Sequence, residues 1–105
     1  MTGRDWRFED LVLRAEEAGA GRLHLAAGAP PLMRRRGEDL MPVDEAIGPL
    51  ESARLARELS RLVEPEDWRR LELTGSGEVS VFCCARVVRL SLYRTCGEWA
   101  AVAHL

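Results

Sequence analysis

The sequence predicts a single α+β domain, with a mainly antiparallel sheet and helices packed on one face. Three observations lead there. The hydrophobic period alternates between helical and strand-like, in the order helix, two or three strands, two helices, three strands. The strands fall in adjacent runs and not in βαβ alternation, which favours antiparallel pairing. The 105 residues, 47% of them hydrophobic, suffice for one packed core without a metal or disulfide staple.

Residues 6–18 read as the first helix, with Phe8, Leu11, Val12, Ala15 and Ala18 at helical spacing and Gly19 as the stop. Arg22–Ala26 then alternates, so Leu23 and Leu25 point one way and Arg22 and His24 the other. Gly28, Ala29, Pro30 and Pro31 break that strand. Leu32–Arg36 is a second strand, ended by Gly37, and Leu40–Val43 a third, with Pro42 restricting it to an edge or a stub. Residues 51–63 return to helical period through Leu55, Leu59 and Leu62. Pro65 opens a short helix over 65–71, and Glu66 and Asp67 suit its positive end. Gly75-Ser76-Gly77 is a turn. Three strands follow: Glu78–Ala85, Arg86–Thr95 and Trp99–Leu105, with Cys96-Gly97 turning the last hairpin.

Composition excludes several functions. All 15 cations are Arg, set against 17 Asp and Glu, for a net charge of −2. That balance argues against a general nucleic-acid binder. The chain has no Lys, so it contains no Walker A phosphate loop and forms no Schiff base. No apolar run reaches membrane-spanning length, and the start reads as no targeting segment. Three Cys without a signal peptide suggest reduced, buried thiols in a cytoplasmic protein. Cys83, Cys84, Cys96, His24 and His104 lack metal-ligand spacing, and Cys83 and Cys84 are expected on opposite sides of a strand. No cofactor and no catalytic constellation is expected.

Among the basic residues, Arg34, Arg35 and Arg36 carry the sharpest local charge. If they lie in a strand, they point to alternate faces and cannot form one fork. Solvated edge charge is one reading; contact with a phosphate or an acidic partner is the other. Trp68 is expected to cover the sheet. Trp99, opening a mostly apolar last strand, is the candidate interface residue.

The segment Gly19–Gly37, GAGRLHLAAGAPPLMRRRG, resembles the pattern GASDLHLxxGxPPxxRxxG. That pattern marks the N-terminal domain of PilT-type twitching-motility ATPases, within the wider type II/IV secretion ATPase family. Matching residues include Gly19, Ala20, Leu23, His24, Leu25, Gly28, Pro30, Pro31, Arg34 and Gly37. Arg86–Gly97 is more loosely similar to RFRVNxFxQxxG. Arg22, Leu90, Cys96 and Ala103 depart from the family's Asp, Asn, Arg and Arg.

The resemblance implies a PAS-like fold and a structural role for His24, tying the sheet to the Pro-Pro turn by a hydrogen bond. It also implies a domain that docks on a neighbouring motor, since family N-terminal domains move against one. With no motor in the 105 residues, the expected function is a non-catalytic interaction or regulatory module. Its partner is a pilus or secretion ATPase, or a second copy, met through the last strand as the end of the sheet. The alternative is a small-ligand sensor on the concave side of the sheet, with Arg34 and Arg89 holding a nucleotide.

Overall fold

The computed structural model describes residues 5–105; residues 1–4 of the expected domain lie outside the described residues. Helix α1 spans Phe8–Glu17 and buries Phe8, Leu11, Val12 and Ala15, one continuous stripe at helical spacing. Glu9 and Asp10 sit in its first turn, where the helix dipole favours negative charge. Trp6 stays outside the helix but is buried, with the Arg54 guanidinium 5.0 Å from its ring centroid.

Strand β1, Arg22–Ala26, pairs antiparallel with β2, Leu32–Arg34, and β2 pairs with β3, Met41–Pro42. Strand β2 stops two residues short of the expected Arg36, because the chain turns at Arg36 and Gly37, where Gly37 takes φ +76°. Helix α2 covers Ser52–Leu62, and α3 covers Pro65–Thr74, a turn longer than its short apolar pattern suggests. Gly75 caps α3 at φ +82°, and β4 begins at once, so Ser76 and Gly77 belong to a strand and not to the expected turn.

Strands β4 (Ser76–Cys83), β5 (Arg86–Thr95) and β6 (Glu98–His104) form two consecutive hairpins. The first turns on Cys84 and Ala85, at φ 56° and 64°, where the sequence reading runs the strand on to Ala85. Both hairpins have the positive φ values of a type I′ turn, which the right-handed twist of the strands selects. Without a Gly or Asn at 84–85, no local signal marks the first one.

The sheet order is β3-β2-β1-β6-β5-β4. Strand β6 therefore lies in the interior, paired along its whole length with β5 and over Ala100–His104 with β1. The expectation of β6 as a sticky sheet end is overturned: its backbone groups are already taken by its neighbours. Its apolar residues serve burial, with Ala101 and Ala103 at 2% and 1% exposure.

The three helices cover one face. Helix α1 lies against β1, α2 across β1 and β6, and α3 against β4. One core cluster joins Phe8, Leu11, Leu55, Leu59 and Leu71 to Leu23, Leu25, Val88, Leu90 and Leu92. Among the described residues, no helix packs on the other face.

One charge is buried in this core. Glu58 of α2 accepts the Phe8 backbone N–H at 2.9 Å and the Arg61 guanidinium at 2.6 and 3.2 Å. Arg61 also reaches Glu9 at 2.8 Å, so the group clamps the start of α1 to α2. Burial alone would raise the Glu58 carboxyl, but the Arg61 and Phe8 donors outweigh it and hold it below its usual 4.5.

Two outcomes follow for stability. Leu25→Ala, a large-to-small change in the core, costs about 2–5 kcal/mol, and exposed Arg36→Ala lies within about 0.5 kcal/mol of zero, both by chemical denaturation. A lowered folded-state carboxyl adds stability above its unfolded value, and that stability is lost as pH falls below 4.5. Glu58→Gln should flatten this acid limb in pH-dependent melts, while Glu58→Ala, which strands the Phe8 N–H, costs about 1–3 kcal/mol at neutral pH.

Candidate functional site

Residues directly opposite one another on paired strands share a face. On the uncovered face, Arg34 of β2 faces Arg22 of β1, Arg22 faces His104 of β6, and His104 faces Arg89 of β5. The row ends on Ser80 of β4. A second row, two residues along, runs Leu32, His24, Val102, Ser91 and Glu78. The open face thus carries three arginines and a histidine in one line. Arg22, Arg34 and Arg89 are exposed, and neither the Arg22 nor the Arg89 side chain makes a hydrogen bond or ion pair among the described residues.

Arg34 and Arg89 therefore stand on one face, as a shared ligand site would need. They are three strand spacings apart, however, about 14 Å at the usual ~4.8 Å per strand. They cannot close on one phosphate; they suit a broad surface.

Arg34 converges instead on its sequence neighbours. Arg22, Arg34, Arg35 and Arg36 line a cleft of about 360 Å³ with Gly21 and Gly37. The expectation that Arg34, Arg35 and Arg36 point apart fails because β2 ends at Arg34, so strand alternation no longer applies to the next two residues. The Arg34 Nε donates to the Glu38 carbonyl at 3.1 Å, and the Arg35 Nε lies 3.3 Å from the Glu38 carboxylate.

His24 does not tie the sheet to the Pro-Pro turn through Nε2, which is buried without a hydrogen-bond partner among the described residues. The turn is fastened by backbone. Gly28 N–H donates to the Leu50 carbonyl at 2.8 Å, Leu50 N–H to Ala29 at 2.9 Å, and Val43 N–H to Pro31 at 3.0 Å. Pro31 is fully buried. Leu23 and Leu25 point into the core, and Gly28 and Gly37 take φ +82° and +76°, which their lack of a Cβ permits. Pro30 is half-buried beside them.

Burial pushes the His24 imidazole down from 6.5, with Arg22, Arg34 and His104 adding repulsion. Among the described residues no hydrogen bond or ion pair joins His24 to Glu38 or Asp39, the carboxylates a catalytic base there would use; Glu38 is engaged by Arg35.

Trp99 is not an exposed contact residue. It is 6% exposed, its ring 4.9 Å from that of Trp68, with the Arg94 guanidinium 5.2 Å from its centroid. Trp68 covers the sheet as expected, packed against the core.

The thiols differ too. Cys84 lies in the turn, so its Sγ comes within 3.4 Å of Cys83 Sγ and the two do not diverge. Burial first, then the Cys84 thiol, pushes Cys83 up to about 12, which makes it a poor nucleophile. Cys96 is exposed. Among the described residues no group of His, Cys, Asp and Glu is arranged to hold a metal ion.

One contact escaped sequence reasoning. Ser91 Oγ donates to Glu78 Oε2 at 3.0 Å and lies 3.0 Å from His104 Nε2. The hairpin turns, once placed, would have set these three side by side. The carboxylate grips the hydroxyl and not the imidazole, so it does not orient His104 as the acid of a catalytic triad would.

The site defines a class: an antiparallel sheet with helices on one face and an arginine-lined open face on the other. Among solved structures, the chain is similar to the pilus retraction motor PilT with bound ADP, at a TM-score of 0.84 and 22% identity over 96% of this chain and 29% of that one. It is also similar to the Legionella pneumophila ATPase DotB, at a TM-score of 0.66 and 15% identity over 96% of this chain and 30% of that one. The chain thus has the fold of one part of these ATPases and spans under a third of either. No sequence-family model matches it, and no curated protein matches it by sequence. No described helix is long and apolar enough to cross a membrane.

A depressed imidazole gives stability that is complete above its unfolded value and declines as pH falls below 6.5. The thermal midpoint should therefore drop between pH 8 and pH 5.5, and His24→Gln should drop less; equal drops would contradict the burial assigned to His24.

Proposed function

We propose that this chain is a non-catalytic interaction module acting in the cytoplasm, docking through its open sheet face on an acidic surface of a pilus or secretion ATPase. The observation that carries this reading is the arginine row on an uncovered sheet face, in a chain whose net charge is −2. Charge gathered on one face against the overall balance steers a complementary partner. Beside the row, Phe82 and Val87 face each other across β4 and β5 at 78% and 66% exposure, supplying an apolar anchor within a polar surround. The likeness to PilT and DotB supports the choice of partner. A chain without Lys, and a Ser91 hydroxyl bound to a carboxylate, support the absence of catalysis. Two copies meeting through this face would set like charges together, so the row favours a different partner over self-association.

Binding of purified PilT-type ATPase, measured by surface plasmon resonance, tests the reading. The association rate should fall as salt rises, and Arg22→Glu with Arg89→Glu should slow it by about tenfold or more. Phe82→Ser should chiefly hasten dissociation. Wild-type protein that retains no pilus or secretion ATPase refutes the docking.

A further inference from the structure

We propose that the cleft between β1 and the β2–β3 turn is a binding site for a polyphosphate chain, free or carried on a nucleotide. The inference goes beyond the docking reading and does not depend on it. Four of the six lining residues are arginine and the other two are glycine. Among the described residues, the one carboxylate paired with a lining arginine is Glu38, on Arg35. The side chains of Arg22 and Arg36 have no hydrogen bond or ion pair among the described residues. The cleft therefore holds a net excess of positive charge in about 360 Å³, at the small end of ligand-site volumes.

The lining says what kind of anion fits. It contains no aromatic and no aliphatic side chain, so no apolar wall encloses a nucleobase or an acyl chain. Recognition falls to the guanidinium forks, whose geometry matches phosphate oxygens two at a time. Charge spacing separates phosphate from peptide. Carboxylates on one face of an extended peptide repeat about every 7 Å. Phosphoryl groups in a chain share bridging oxygens and are packed far more densely, as are four arginines around one small cleft. Arg22 and Arg34 also sit directly opposite on paired strands, a like-charge contact that costs stability until an anion lies between them. The site is open and Arg22, Arg34 and Arg36 are exposed, so binding is salt-sensitive and weaker than in a lysine-bearing phosphate loop.

Isothermal titration of the full chain with inorganic tripolyphosphate at low ionic strength reads the site directly. Saturable one-to-one binding is expected, with Arg22→Gln and Arg36→Gln each weakening it about tenfold, the loss of one charge-assisted contact. Arg69→Gln, exposed on α3 away from the cleft, should leave it unchanged. ATP should bind within a few-fold of tripolyphosphate, since only the phosphates are gripped. Circular dichroism melts confirm that the variants fold. No saturable binding, or equal losses in Arg69→Gln, overturns the proposal. So does a hexaglutamate peptide that binds as tightly, which would make the cleft a site for acidic protein segments. ATP binding more than about tenfold tighter than tripolyphosphate would overturn the claim that the base goes unread.

Discussion

The sheet is one object only because its last strand lies in the middle. Strands β1–β3 form one set of pairings and β4–β5 another, and β6 alone hydrogen-bonds to both. Every feature that spans the molecule passes through it. The core runs from Leu23 on β1 to Leu90 on β5 by way of Ala103, and the basic row runs from Arg22 to Arg89 by way of His104. The small side chains on the covered face of β6 let α2 lie close above it. Folding of the sheet therefore cannot finish until β6 is in place, and the longest-range contacts are also those on which the candidate surface rests.

What could be read from the sequence was local. Strands β1 and β5 have the bounds that alternation assigns them, and the stripe of α1 marks the residues it buries. The stub at β3 follows from Pro42, which cannot donate to a ladder. Pairing order was not legible, because alternation says which face a residue takes and nothing about its neighbours. That is why β6 and Trp99 were misplaced: an apolar strand that begins on a tryptophan has the same pattern at an edge and in the centre. The turn at Cys84 and Ala85 was hidden because both adopt the left-handed conformation without being glycine.

The candidate surfaces depend on these illegible features. The arginine row needs the sheet order, and the cleft needs β2 to end at Arg34 when the pattern runs on to Arg36. Arg54, Arg61 and Arg86 are spent on structure, pairing Asp5, Glu58 and Glu16. Arg22, Arg36 and Arg89 have no such role among the described residues. The division between paired and unpaired arginines, invisible in a net charge near zero, is what gives the molecule a basic side.

The two borders of the sheet are unlike. One is β3, two residues long and bearing Pro42, too short and too poor in donors to template another strand. The other is β4, eight residues long. Any growth of the sheet by strand addition can thus proceed in one direction only. Two molecules joined β4 to β4 would leave a blunt β3 at each outer margin, and a third would find nothing to extend. The asymmetry works as a chain terminator: edge pairing in this fold stops at two copies and does not run on into a filament.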